Sequence, residues 1–248
     1  MARRRFFVRE ISRGRASIAG DEAHHLTRVL RVEAGQRYEI SDNHKVWLAE
    51  VETARRDLVT FTVIEQVQTP PARVDLTAYV ALVKFERLEL LVEKATELGV
   101  RGIVLFPADR SEKGLERAAE KRLPRWERIA REASEQSRRP QLPTVELLPG
   151  LNDIVTGDAT ARILLDEARD AKPLIGTLPA QLHEGERVSI LAGPEGGWTE
   201  RERELIQSFG WRAASLGDTI LRTETAVLAA AAIVQAWWHE HAARNATV

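Results

Sequence analysis

From Leu76 onward the chain alternates short runs of branched apolar residues with stretches whose apolar positions recur at helical spacing, and nothing else in it restricts the fold as much. The pattern predicts strands at 76–83, 102–106, 145–148, 162–165, 188–192 and 213–216. Helices are predicted at 88–98, 199–209 and 224–239, with a long charged helix ending near Ser137 and a short one after residue 148. Pro124 is expected to break the long helix or to sit in its first turn. Strands separated by helices argue an α/β fold in which a parallel sheet is covered on both faces. In open sheets of this kind ligands lie beyond the carboxyl ends of the strands.

Three stretches carry the chemistry. In Leu191-Ala192-Gly193-Pro194-Glu195-Gly196-Gly197-Trp198-Thr199 an apolar run feeds a glycine turn that opens into a helix. Thr199 and Glu202 have the Thr-x-x-Glu spacing in which hydroxyl and carboxylate each satisfy a free N–H at a helix start. The glycines let the main chain come close to a ligand. A phosphate fits the turn poorly: the G-x-x-x-x-G-K-[ST] cradle and the G-x-G-x-x-G fingerprint are both absent, and Glu195 would repel an anion. An acidic turn fits a neutral nucleoside or a cation such as a sulfonium. An ordinary strand-to-helix turn would read the same from these residues alone. Leu216-Gly217-Asp218-Thr219-Ile220-Leu221-Arg222-Thr223-Glu224-Thr225-Ala226 repeats the design, and the third stretch runs from Lys84-Phe85-Glu86 to Glu93-Lys94-Ala95-Thr96-Glu97-Leu98-Gly99-Val100.

The first seventy residues read differently, as a small β module. Runs at 6–8, 45–51 and 58–64 are rich in β-branched and aromatic residues, and one helix is predicted at 21–30 with Ala23, Leu26, Val29 and Leu30 at helical spacing. Arg28 and Arg31 then fall near its rim, although a solvated helix face would look alike. The prolines of Thr69-Pro70-Pro71-Ala72-Arg73 stop both helix and strand, so the expected domains are 1–70 and 74–248.

Composition excludes several classes. Cysteine is absent, which removes disulfides, thiolate metal sites and any cysteine nucleophile. The six histidines are scattered, and no metal is expected. No apolar run approaches the ~18 residues of a membrane span, and the N-terminus becomes charged too soon for a signal peptide, so the cytoplasm is the expected location. The net charge of −1 supplies no global field for a polyanion, so contacts to RNA would have to come from local patches. Among 36 basic residues arginine dominates, and arginine both forks onto phosphate and stacks on bases.

Together the Gly-Pro-Glu-Gly-Gly turn, the Leu216 to Ala226 stretch and the Lys84 to Val100 stretch resemble the small-subunit ribosomal RNA (uracil-N3) methyltransferases, a branch of the SPOUT superfamily, and the likeness runs nearly end to end. The resemblance implies a SPOUT-type α/β domain with a C-terminal trefoil knot that holds S-adenosyl-L-methionine, and an N-terminal PUA-like β-barrel that binds RNA. It implies a homodimer acting on 16S rRNA of the small subunit, the apolar helix at 224–239 helping to build the interface. Cofactor contacts are expected from Leu165, Leu191, Gly193, Pro194, Glu195, Gly196, Leu216, Gly217, Ile220, Leu221, Arg222 and Thr225. RNA contacts are expected from Arg9, Arg28, Arg31, Lys84, Arg138 and Arg139. Arg138 stands where the family usually has glycine. Arg222, Glu224 and Glu195 are the candidate catalytic residues. A uridine N3 must lose its proton before it attacks a methyl group, and Arg222 is expected to hold the negative charge that develops. Glu224, in the first turn of a helix, would be a weakened base. Rival readings are a ribose 2′-oxygen or guanine-N1 methyltransferase of transfer RNA, and a binding protein that has lost its chemistry.

Overall fold

A computed structural model describes residues 4–69, 74–154, 159–168, 171–179 and 186–245, without the side chains of 242–245. Residues 70–73 of the proline-rich stretch lie outside the described residues. The chain divides into two compact units, Met1–Pro71 with Arg131–Leu142, and Ala72–Ala130 with Pro143–Val248.

The first unit holds β1 (Arg5–Phe7), β2 (Arg15–Ala19), α1 (Asp21–Arg28), β3 (Arg37–Ser41), β4 (Val46–Arg55) and β5 (Leu58–Val67). Its sheet runs in the order β1-β3-β4-β5-β2, antiparallel except for the β1–β3 pair. Two register shifts between β4 and β5 bend the long strands. Phe6, Ile18, Leu26, Ile40, Val51 and Phe61 fill the core. The helix ends two residues earlier than its apolar spacing suggests. Arg31 takes a left-handed φ of 53° and the Val32 N–H returns to the Leu26 carbonyl at 3.0 Å. Val29 is consequently 62% exposed and does not belong to the buried stripe.

The second unit contains β6 (Asp75–Ala81), α2 (Phe85–Glu97), β7 (Gly102–Phe106), most of α3 (Leu115–Ser137), β8 (Thr144–Leu147), β9 (Ala161–Leu165), β10 (Lys172–Pro173), β11 (Arg187–Ala192), α4 (Glu200–Ser208), β12 (Arg212–Ser215) and α5 (Thr223–Asn245). Its seven strands are ordered β10-β12-β9-β11-β6-β7-β8, every pair parallel. Alternation along β6 shows why the sheet is covered twice. Leu76, Ala78 and Val80 join Leu88, Leu91, Trp126, Val227 and Ala230 on one face, while Tyr79 and Ala81 join Trp198, Ile206 and Trp211 on the other.

One expectation for helices is corrected. Pro124 neither breaks α3 nor lies in its first turn; it sits in the interior, and its exposure lets water reach the backbone that loses a hydrogen bond there. The short helix expected after residue 148 is present as one 3-10 turn, Leu151–Asp153. No helix of the described residues is long and apolar enough to cross a membrane.

The end of α3 explains Arg138. Its φ is 55°, and the Arg139 N–H bonds the Ser134 carbonyl at 3.0 Å, which is the helix-ending geometry that usually demands glycine. Within the first unit this loop is tied down: Arg5 Nη1 donates to the Arg138 carbonyl at 2.6 Å, Ser41 Oγ to the Pro140 carbonyl at 2.7 Å, and the Leu142 N–H to Asn43 Oδ1 at 2.6 Å. The buried Arg5 is itself paired with Glu39 at 2.7 Å.

Candidate active site

The carboxyl ends of β9, β11 and β12 meet around one cavity of about 260 Å³. Leu165 closes β9, Gly193 to Glu195 follow β11, and Leu216 to Thr223 follow β12. The two glycine turns are joined directly, since Thr223 Oγ1 donates to the Gly193 carbonyl at 2.8 Å. The start of α4 is fixed by the pair that its spacing predicted. Glu202 bonds the Thr199 N–H at 2.8 Å, and the Thr199 hydroxyl accepts from the Glu202 N–H at 3.3 Å. The same buried carboxylate also takes the Asp109 N–H at 2.9 Å, which anchors the loop after β7.

Of the residues expected at a cofactor, Leu165, Gly193, Pro194, Glu195, Leu216, Gly217, Ile220, Leu221 and Arg222 line this cavity. Leu191, Gly196 and Thr225 do not. Leu191 is wholly buried in β11, packed among Phe106, Trp198 and Ile206. At Gly196 an added Cβ would lie 3.0 Å from Arg110 Cβ and 3.2 Å from its carbonyl oxygen, and Arg110 Nη1 donates to the Gly196 carbonyl at 3.1 Å. Thr225 is exposed in the first turn of α5. Ile220, by contrast, is 80% exposed at the rim.

The charged groups divide the site. Arg222 is exposed, and its guanidinium has no hydrogen bond or ion pair among the described residues. Glu224 is turned away from the cavity into the protein; it is 6% exposed, Oε1 lies 3.9 Å from Arg87 Nε, and Oε2 has no partner. Arg87 also holds Glu195 through a short ion pair, so one guanidinium of α2 serves both carboxylates. Sequence reading missed Arg87, although it lies three residues after Lys84 in the same helical turn, its N–H bonded to the Lys84 carbonyl at 2.9 Å. Asp166 and Arg203 were missed as well. They pair at the cavity wall, the Asp166 N–H bonding the Ala214 carbonyl at 3.0 Å. A carboxylate directly after the last residue of a strand was the available signal.

The residues expected to touch RNA stand apart from this cavity's lining. Arg9, Arg28, Arg31 and Arg138 are exposed on the first unit, and Arg139 is half-buried there with Nε on the Gln141 carbonyl at 3.2 Å. Lys84 is exposed at the N-cap of α2 in the second unit.

Gly193 is a position where space alone demands glycine. A Cβ there would lie 2.9 Å from Cε2 of Trp198, whose indole stacks on Phe106 at 6.3 Å and 7°. Gly193→Ala must displace the indole, and overpacking of this kind costs about 1–3 kcal/mol. A lowered midpoint in denaturant unfolding is the expected result, and an unchanged one would show that the indole moves freely.

Known proteins share this architecture. A family described as the RNA methyltransferase domain matches residues 70–235, and the RNA methyltransferase PUA domain matches residues 18–64. The ribosomal RNA small subunit methyltransferase E of Bacillus subtilis is 33% identical over 86% of this chain and 86% of its own length. That of Mycobacterium tuberculosis is 31% identical over 87% and 84%. Among solved structures, ribosomal RNA small subunit methyltransferase E from Neisseria gonorrhoeae, bound to S-adenosyl methionine, superposes with a TM-score of 0.83 at 27% identity, covering 96% of this chain and 98% of that one. A probable rRNA methyltransferase from Porphyromonas gingivalis gives a TM-score of 0.77 at 29% identity, covering 95% and 98%. The matched segments contain both glycine turns, and the chain belongs to the ribosomal RNA small subunit methyltransferase E family of RNA methyltransferases.

Proposed function

We propose that the protein transfers the methyl group of S-adenosylmethionine to N3 of a uridine in 16S rRNA of the small ribosomal subunit. The observation that carries the reading is Arg222, a guanidinium without an ion pair among the described residues, at the rim of a cavity whose other lining arginine, Arg203, is held by Asp166. The residues fit the cofactor. Leu165, Ala192, Leu216 and Leu221 offer apolar contact to an adenine, and glycine turns expose main-chain groups that can bond its edge. Glu167, which has no ion pair among the described residues, suits a ligand that carries ribose hydroxyls and positive charge, while Asp166 and Glu195 are each paired with an arginine. When bound, S-adenosylmethionine supplies an electrophilic methyl group on a sulfonium.

The chain's own residues then have distinct tasks. Glu195 and Glu224 are both committed to Arg87, so neither is a free base, and they fix the glycine turn against α2 and the start of α5. Arg222 is left to face a uracil oxygen and hold the negative charge as N3 gives up its proton. The absence of cysteine excludes attack through a thiolate adduct, the usual route to methylation of a pyrimidine carbon, and leaves a ring nitrogen or an oxygen as the acceptor.

Two further features belong to this reading. A knotted path is supported by sheet order: β12 lies between β9 and β10, so the segment that joins those two earlier strands spans a strand formed later in the chain. A homodimer is supported by Ile175 and Ile220, exposed at 60% and 80% beside the cavity and its neighbour. The first unit is the proposed RNA-holding module and the cytoplasm the proposed location. Incubation with labelled S-adenosylmethionine and unmodified ribosomal particles, followed by mapping of the labelled nucleoside, tests the assignment. Label on uridine N3 is expected; label on a ribose oxygen or a guanine would replace the reading with a rival.

A further inference from the structure

Four of the six basic residues of α3 share one side of the helix. Arg117, Lys121, Arg125 and Arg128 follow one another at steps of four, four and three, which aligns them on one face over about 16 Å. All four are exposed. Glu116, Glu120 and Glu127 fall on a different flank, and Ala119, Trp126 and Ala130 are buried. A merely solvated helix gains by placing opposite charges four apart, whereas from Arg117 through Lys121 to Arg125 cation follows cation at that spacing, which disfavours the isolated helix; only Arg128 has an acid, Glu132, four residues on. Arg117 and Lys121 have no ion pair among the described residues. The chain's net charge is −1, so this face is a local concentration and not the overflow of a basic protein.

The stripe leads to the cavity. Arg125 grips Glu89 of α2 with two bonds, of 2.6 and 2.7 Å, and holds that carboxyl below its ordinary range. Arg122 lies 5.2 Å over the ring of Phe85, the first residue of α2. Lys84 caps that helix, and Arg87 in the same turn grips Glu195 at the cavity. Each step is within the second unit.

We propose that this face of α3, continued by Lys84, carries the phosphate backbone of the RNA strand that enters the methyl-transfer cavity. The inference rests on the reading of RNA as substrate. Phosphate contacts position a strand without reading its sequence, and each releases counterions. Two full-length variants test it, R117Q/K121Q/R128Q and R117E/K121E/R128E, which leave the Glu89 and Phe85 contacts in place. Binding to small-subunit ribosomal RNA transcribed in vitro is measured between about 50 and about 200 mM salt. At ~0.7 per single-strand contact, the slope of log affinity against log salt should shrink by about 2 in the glutamine variant. Affinity should fall at least about tenfold, further in the glutamate variant, with KM for RNA raised, kcat at saturating RNA kept, and S-adenosylmethionine affinity unchanged. An unchanged slope and KM in both variants overturns the proposal, and so does an equal loss of cofactor affinity in both. Methyl transfer by the unaltered protein tests the reading of function separately, because the slope is read from binding alone.

Discussion

Arg222→Ala is expected to lower kcat by about 10²–10³, the usual cost of removing a donor from a developing anion, while S-adenosylmethionine affinity stays within a few-fold. The alternative role for Arg222, a salt bridge to Asp218 or Glu224 that shapes the loop, has no support in the structure. Neither pair forms, and Glu224 is engaged with Arg87 on the other side. What fixes Arg222 is its backbone, since its carbonyl accepts the Ala226 N–H at 2.8 Å and so begins the hydrogen bonding of α5. The side chain remains available at the cavity edge. Arg222→Lys keeps the charge but loses the planar fork, and its rate should fall between those of wild type and alanine. Glu224→Gln should cost less than Arg222→Ala, because a buried carboxylate outside the cavity can only act on catalysis through Arg87. A folded Arg222→Ala enzyme with full kcat would sink the anion-holding role.

How much of this could be read from sequence depends on the distance over which each signal acts. The parallel sheet was legible because β6, β7, β9 and β11 are mainly apolar, and burial on both faces leaves that mark within a few residues. The capping box of Thr199 and Glu202 was legible for the same reason. Strands β2 and β3 were not, since Arg15, Arg37 and Glu39 interrupt their apolar character on the face that meets solvent or an ion pair. Nor could sequence show that the 131–142 segment belongs with the N-terminal unit. That depends on Arg5, Ser41 and Asn43 bonding residues about a hundred positions away.

The site divides along the same line. Residues that present backbone to the cavity, such as Gly193 and Gly217, announce themselves, because few other residues fit such turns. Arg87 did not, as its partners Glu195 and Glu224 lie more than a hundred residues downstream and nothing local sets it apart from other helix arginines. Arg138 is an intermediate case. Its departure from glycine was visible, but only the left-handed φ shows that an arginine has been accepted at a place built for glycine.

Stability should fall as pH rises from about 4.5 to about 8, through one carboxyl group in the first unit. Glu135 on α3 is 4% exposed, and its pKa is pushed up to about 8, first by burial and then by the nearby Glu22, against the smaller opposing pull of Arg131 and Arg4. Glu22 is itself engaged by Arg131, at 3.1 Å. A carboxyl whose folded pKa lies above its unfolded value keeps its proton in the folded state while the unfolded chain has already released it. The folded state therefore binds more protons across this interval, and its stability is full below about 4.5 and declines until about 8. Each tenfold difference in proton affinity between the two states corresponds to about 1.4 kcal/mol, and after allowance for relaxation around the group the total is on the order of 2–4 kcal/mol. Glu135→Gln keeps the shape of the protonated acid and has nothing to ionise. It should match wild type near pH 5 and exceed it near pH 8 in denaturant unfolding, so the difference between the two proteins isolates this residue from other titrating groups. Parallel curves for the two across that range would show that Glu135 is ionised and relieved by water or by Arg4, and the pH dependence would then have to be sought elsewhere.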